Sequence, residues 1–595
     1  MSASRPNSTS PMPGSDARLD RLRAHLREHG VDGFLLPRGD EHLGEYVPAC
    51  AERLAWLTGF TGSAGFAVVL PDEALVFSDG RYQVQMDQQL DPAVWSTAHM
   101  YETPGPTWLA HHAAGRAIGY DPRTISETEL AAYAQAGCRM VALACNPIDA
   151  IWPDRPAAPD TTVESLPVTY TGTDSRTRTA LVTAILDRDG QDDAILPDPT
   201  AIAWMLNIRA RDLEFLPVPL SFAIVSRSGS VQLFIEPSRV PSHVADILGP
   251  DVDIRPPSEL EAGLRALKGQ TVRLDPARSA AWFWQCLRDA GANPVAGTDP
   301  CLEPRARKTE TEREGMRRAH HLDGIALCRF LFWLEQNGIG RTETEVADHL
   351  LSLRLASEAC TGPSFATIAA AGPNAAIMHY APRRTDCATL ESGTFFLIDS
   401  GGQYRCGTTD VTRTIWLGDG APPAAWRDHY TRVLKGLIGL SRAIFPKGTH
   451  GYRLDPLARL PLWDAHLDFD HGAGHGLGSY LSVHEWPLGF TRRPVLDAIE
   501  EHMILTNEPG YYAPNSHGIR LENAMEVRRH DAEGRFLNFE TITLAPIDRR
   551  GIEPSLLNSE ERAWLDAFHA HVEAMIAPSL PPAERDWLIR ACAPL

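Results

Sequence analysis

No apolar run in this sequence comes near the roughly 20 residues needed to cross a bilayer. The opening stretch, MSASRPNSTSPMPGSD (residues 1–16), is rich in Ser and Pro and has no apolar centre, which excludes a signal peptide and predicts a floppy tail. Cysteine is sparse and scattered. The ten residues, at 50, 138, 145, 286, 301, 328, 360, 387, 406 and 592, form no CxxC pair and keep no regular spacing. That excludes a zinc ribbon and a disulfide framework and points to a reducing compartment. Positive charge is in deficit: 56 Lys and Arg face 76 Asp and Glu, a net charge of −20. A nucleic-acid backbone is therefore not the expected partner. These absences together predict a soluble, cytoplasmic protein with no membrane and no nucleic acid among its partners.

What remains is ordinary globular material, 43% apolar and 22% charged. At 595 residues the chain exceeds one hydrophobic core, so about two to four domains are expected. An internal echo divides the first half. Leu19, Leu22 and Leu26 stand at helical spacing before Gly30, followed by an apolar DGFLLP (32–37), then LAWLTGF (54–60) and two further apolar runs. The same order returns in TALVTAILDRDG (179–190), DDAILP (192–197), IAWMLNI (202–208), SFAIV and SVQLFI. This predicts two related α/β domains, at about 17–165 and 175–303, separated by a linker around 154–176 rich in Pro, Thr and Asp. A third region opens at RKTETEREGMRRAHHLDGIAL with a long amphipathic helix, and a second helix starts at a capping box, Thr342 with Glu345. Beyond residue 360 the chain is strand-rich. Nearly all the chemistry lies there.

The stretch FFLIDSGGQYRCGTTDVTRTIW (395–416) holds Asp399 and Asp410, eleven residues apart. Asp399 ends the apolar run Phe395–Ile398, and Asp410 sits among β-branched residues, so both belong to strands, with turn chemistry in the Ser-Gly-Gly between them. A buried carboxylate without a partner is costly. Four further stretches matter: NAAIMHYAP with His379; HGAGHGLGSYLSVHE with His471, His475 and His484; LTNEPGYY with Glu508; and GIRLEN with Arg520 and Glu522. Glycines at 472, 474, 476 and 478 rule out a stable helix. In an extended chain His471 and His475 stand roughly 13 Å apart, so at most one can be a ligand of a given ion. As a strand, GIRLEN puts Arg520 and Glu522 on one face. Glu508 precedes a proline, where the backbone is held extended.

Each of these residues alone has an ordinary explanation: a solvated acid, a structural histidine, a surface turn. The acids are distinctive as a set, because they sit in apolar or β-rich surroundings. If Asp399, Asp410, Glu508 and Glu522 converge, their repulsion is relieved by protonation or by cations. Two divalent ions balance four carboxylates, and one imidazole among oxygen ligands suits manganese or cobalt.

With these motifs the sequence resembles the pita-bread metallopeptidases, the group of aminopeptidase P, prolidase and methionine aminopeptidase. It is similar above all to the three-domain, cytosolic-type aminopeptidase P family, over nearly its whole length. The resemblance implies an α/β (α+β) chain: a tail (1–16), two creatinase-like α/β domains (17–165 and 175–303), a pita-bread catalytic domain (304–552) and a C-terminal extension packed on it (553–595). It implies Asp399, Asp410, His475, Glu508 and Glu522 as ligands of two divalent metals, with Asp410 and Glu522 bridging. Manganese is the first expectation, cobalt or zinc the alternatives. It also implies that His379, His471 and His484 hold substrate and stabilise the tetrahedral intermediate, that Glu508 is the base, and that Arg520 contributes to substrate binding. The expected reaction is release of the N-terminal residue from peptides with proline second, by a metal-bridged hydroxide, in a homodimer. Prolidase-like cleavage of Xaa-Pro dipeptides is the competing activity, and a non-catalytic pita-bread binding module the competing class. Methionine aminopeptidase lacks the two large amino domains, and creatinase lacks the acidic metal set.

Overall fold

The computed structural model describes residues 14–385 and 387–595. Residues 1–13 of the expected tail lie outside the described part, but Ser15 and Asp16 do not belong to a tail. They open the helix Ser15–Glu28, where the acidic Asp16 lies in the first turn and Leu19, Leu22 and Leu26 are buried. Among the described residues no helix is long and apolar enough to cross a membrane.

The chain divides into two compact units, one of residues up to Ala158 with Asp275–Asp289, the other of the remainder. The first unit carries a six-stranded sheet in the order Ser96–His99, Ala74–Ser78, Phe66–Val69, Gly33–Pro37, Ala117–Tyr120, Arg139–Ala142. Its central pairs are antiparallel and its flanking pairs parallel. The expected boundaries do not follow this grouping, because 275–289 bonds to the first unit. Ala281 N donates to Ile125 O at 2.8 Å, and the Arg123 guanidinium lies 3.8 Å from the Trp282 ring centroid.

The second unit opens with a sheet of the same design, in the order Val252–Arg255, Val231–Phe234, Phe222–Ser226, Asp193–Leu196, Thr271–Leu274, Asn293–Ala296. Parallel and antiparallel pairs fall at equivalent places. The repeated LAWLTGF and IAWMLNI segments begin in equivalent helices, Arg53–Thr58 and Pro199–Met205, and run past their C-terminal ends.

The C-terminal domain begins with the helix Glu310–Asn337, set by a capping box of Thr309 and Glu312, followed by Glu343–Leu355 with the box of Thr342 and Glu345. Two sheets follow. One runs Ile368–Ala371, Thr394–Ser400, Val411–Leu417; the other runs Ile444–Pro446, Phe536–Thr541, Asn523–Arg529, Ile504–Asn507, Gly474–Gly476, Glu485–Phe490. Leu327, Phe330 and Leu334 of the first helix, Phe395 and Phe396 of the strands, and Leu437 of the helix Ala424–Ser441 share one core. The C-terminal helices Ser559–Ile576 and Pro582–Ala591 pack on Glu310–Asn337 and add Leu565, Val572 and Leu588 to that core.

Candidate active site

The two aspartates reach the site from paired strands. Asp399 lies opposite Thr412, and Asp410 immediately precedes Val411–Leu417. The Ser-Gly-Gly segment is not a simple reversal. Between the two long strands, Gly402–Tyr404 and Gly407–Thr408 form a separate small sheet with Cys360–Pro363, so the chain detours before returning through Asp410. Both aspartates are buried.

His475 sits at a bulge of the strand Gly474–Gly476 against Glu485–Phe490. The flanking glycines are required by close packing of backbones. A Cβ at Gly474 would lie 2.1 Å from Thr506 O, and one at Gly476 would lie 2.3 Å from Glu485 O. His475 Nδ1 lies 2.9 Å from Gly476 O, which directs Nε2 at Asp410 Oδ2, 3.4 Å away, and at Glu508 Oε1, 3.6 Å away. Metal-bound imidazoles are oriented in this way, with the second ring nitrogen donating to a carbonyl.

His471 is engaged differently. Its Nδ1 is 2.7 Å from Gly472 O and its Nε2 is 2.8 Å from the Tyr512 hydroxyl. Tyr512 in turn accepts from Arg520 Nη1 at 2.6 Å, and Arg520 Nη2 is paired with Asp399 Oδ2 at 2.6 Å. A run of donors thus leads from Arg520 through Tyr512 to His471. Arg520 Nε also reaches Thr412 Oγ1 at 3.3 Å, and that hydroxyl donates to Glu522 Oε2 at 2.8 Å. Arg520 and Glu522 therefore share a face, although the strand His517–Arg520 ends before Leu521 and a new one begins at Asn523. Glu508 follows the strand Ile504–Asn507 and is fixed by its amide, which donates to Ala473 O at 2.9 Å.

Ligand atoms of Asp410, His475 and Glu522 all lie within 4.8 Å of one another. Glu508 flanks this trio through His475, and Asp399 flanks it through Arg520. The His484 ring stands at 88° to that of His475, with centroids 4.4 Å apart. His379 is half-buried in the turn after the 3-10 segment Gly372–Ala376. It is tied to the site through its neighbour, since Arg520 Nη1 donates to Met378 O at 3.3 Å.

The profile of metallopeptidase family M24 matches residues 314–529, and that of its C-terminal region matches 535–595. Two profiles of the creatinase/prolidase N-terminal domain match 18–149 and 154–312. A Paracoccidioides brasiliensis protein named "Probable Xaa-Pro aminopeptidase P" is 35% identical over 97% of this chain and 99% of its own length. The chain belongs to the Xaa-Pro aminopeptidase P family. The crystal structure of X-prolyl aminopeptidase from Caenorhabditis elegans, a cytosolic enzyme with a di-nuclear active site, superposes with a TM-score of 0.93. It is 32% identical and covers 98% of this chain and 100% of that one. Prolidase from Pyrococcus horikoshii, 21% identical with a TM-score of 0.51, covers 62% of this chain and 99% of its own; it shares the fold alone.

Family membership implies metal, and the charge balance of the site fits cations. Burial raises Glu508 to about 7, raises Glu522 well above the usual carboxylate range, and raises Asp399 despite its Arg520 partner. Burial pulls His475 down, but the Asp410 and Glu508 carboxylates outweigh it and raise the imidazole to about 9. Without cations the site must take up protons to be tolerated. Asp399 Oδ1 is buried with no hydrogen-bond partner, which leaves an oxygen available to a cation.

Two functional groups of the site carry no signal in the sequence. Tyr512 lies inside the GYY motif, but only the fold brings its hydroxyl to His471 and Arg520. Thr412, one of several threonines in the strand, is the one whose hydroxyl holds Glu522.

Proposed function

We propose that this chain is a metal-dependent aminopeptidase that releases the N-terminal residue from peptides with proline in second position. The observation that carries the reading is the convergence of Asp410, His475 and Glu522 within 4.8 Å, with Glu508 and Asp399 at the flanks. These five residues hold two divalent cations, manganese before cobalt or zinc, because four carboxylates and one imidazole form a predominantly hard, oxygen-rich donor set. Bound cations supply the Lewis acidity that acidifies water and polarises a carbonyl. Glu508 takes the proton of the attacking water on a carboxylate oxygen and passes it to the leaving prolyl nitrogen. His379, His471 and His484 bind substrate and oppose charge on the carbonyl oxygen. Arg520 positions Tyr512 and Asp399. Proline has no N–H to offer, so the second-position pocket reads the ring by shape.

The domain division at 17–165, 175–303, 304–552 and 553–595 belongs to this reading, except that Ser15 and Asp16 join the first domain and 275–289 groups with it. A cytoplasmic location and a homodimer belong to it as well. The dimer is supported by one side of the helix Asp455–Trp463, where Leu457, Leu460 and Trp463 are 37%, 54% and 41% exposed. Such a contiguous apolar face suits a second copy.

A cleavage assay tests the activity. Xaa-Pro-Yaa tripeptides should be cut in the presence of Mn²⁺, whereas Xaa-Ala-Yaa peptides should be slower by orders of magnitude. Equal turnover of the two tripeptides would indicate a broad aminopeptidase, and cleavage confined to Xaa-Pro dipeptides would indicate a prolidase.

A further inference from the structure

His484 lies on the segment Gly478–Glu485, which contains one left-handed residue other than glycine, Tyr480 at φ 50°. A side chain persists in that region only where its surroundings hold it there. The surroundings here include the second creatinase-like domain. Arg209, in the short strand Ile208–Arg209, donates from Nε to the Tyr480 carbonyl at 2.8 Å, with its guanidinium 5.5 Å from the Tyr480 ring centroid. The adjacent Leu481 carbonyl accepts from Gln403 Nε2 at 2.8 Å, and the same amide donates to Phe215 O of the second domain at 3.0 Å. Leu481 N donates to Thr408 Oγ1 at 3.2 Å. Beyond His484, Glu485 is paired with Lys308 and lies 3.7 Å from Arg305 Nε, while Arg305 is bonded to Asp198 at 3.0 Å.

Arg209 is an expensive residue to use for this purpose. It is buried, and the acceptors of its side chain are main-chain carbonyls: Tyr480, Ala203 at 2.8 Å and Ile208 at 2.9 Å. Among the described residues no carboxylate pairs with it, and burial pulls the guanidinium down to about 9. A buried cation without a counter-ion is costly. Its Nε nevertheless serves the carbonyl of the one left-handed non-glycine residue on the segment that leads to His484, while Nη1 holds the guanidinium to Ala203 O and Ile208 O.

We infer that Arg209 is a positioning residue for His484, acting from the second domain through the Tyr480 main chain. The inference rests on the substrate-facing role given to His484 above. It assigns the second domain a part in catalysis that needs no contact between Arg209 and the peptide.

A double-mutant cycle on the Mn²⁺-loaded full-length enzyme tests it. Arg209→Met should keep metal content and raise or lower KM by less than about threefold, while kcat falls on the order of 10–100-fold. In the His484→Ala background the same substitution should change kcat by less than about threefold, because the residue it positions is gone. Arg209→Lys, which restores one donor, should recover part of kcat. An equal loss in both backgrounds, or loss of metal from Arg209→Met, would overturn the inference. If Arg209→Met does not fold, Arg209→Lys is carried through the same two backgrounds: a kcat loss that vanishes without His484 supports the inference, and an equal loss overturns it. Failure of the wild-type enzyme to cut Xaa-Pro-Yaa peptides, or full activity of His484→Ala, would instead refute the functional reading itself.

Discussion

Arg520 Nη2 stands 2.6 Å from Asp399 Oδ2, and the same guanidinium donates to the Tyr512 hydroxyl at 2.6 Å. One fixed fork thus ties a carboxylate of the proposed metal site to the phenol that bonds His471. Arg520→Met should destabilise the metal-free fold by about 3–5 kcal/mol, because it strands a buried carboxylate. Arg520→Lys restores the charge, but an ammonium cannot span the acceptors that the planar fork reaches. Its melting temperature should recover while kcat stays low. A lysine variant with wild-type kcat would show that charge alone is needed.

Metal dependence follows from the donor set. Exhaustive chelation should abolish peptidase activity, and Mn²⁺ should restore it. Asp410→Ala should yield a folded protein with depleted metal, since Asp410 lies in the trio of donors nearest one another. Metal analysis of the purified variant, alongside circular dichroism, decides it. Full activity in the stripped wild type would sink the reading.

The pH dependence of the metal-free fold has a definite sign. Glu508 is raised to about 7, and Asp399 and Glu522 are also raised, so the folded protein holds protons that the unfolded chain has shed above about 4.5. His475, raised to about 9, holds a proton that the unfolded chain sheds above about 6.5. For both types the stabilisation is complete below the unfolded value and is lost as pH rises through the folded one. Thermal unfolding of the stripped protein should therefore show the site's contribution falling from pH 5 to pH 9. The Mn²⁺-loaded protein should be flatter, and calorimetry in buffers of different ionisation enthalpy should detect protons released on binding. Metal uptake without proton release would contradict this charge balance.

Much of this was legible in the sequence because it depends on neighbours along the chain. The run ending at Asp399, the capping box of Thr342 and Glu345, and the glycines that exclude a helix between His471 and His475 are all local patterns. The repeat of 18–60 in 179–208 was legible because both copies must fold into the same sheet order. What was not legible depends on distant contacts. Nothing near Arg209 announces that it meets Tyr480, 271 residues away. The attachment of 275–289 to the first unit, made by bonds such as Ala281 to Ile125, likewise has no signature in the local pattern. The detour through Gly402–Tyr404 is hidden for a similar reason: a glycine pair signals a turn but not the strand that will capture it.

The exposed side of Asp455–Trp463 predicts the oligomer. Leu460→Glu places a charge on that apolar face and should shift the protein from the proposed dimer to monomer in light scattering. The melting temperature of the monomer should change little, since the opposite side of the helix, with Ala458 and Leu462, stays buried. A dimer that survives the substitution would place the interface elsewhere.

The last test separates metal ligand from substrate-facing group in two rings 4.4 Å apart. His475 presents Nε2 to Asp410 and Glu508, with Nδ1 at a carbonyl, as a ligand would. His475→Ala should lose metal and activity together. His484 stands edge-on to that ring, and we place it opposite the developing oxyanion. His484→Ala should keep its metal while kcat falls on the order of 100-fold or more, the usual cost of one transition-state donor. KM should move far less than kcat, because the interaction strengthens only as charge develops. Metal analysis of the two purified variants distinguishes them, since activity alone would be low in both. If His484→Ala empties the site and His475→Ala does not, the two roles are reversed.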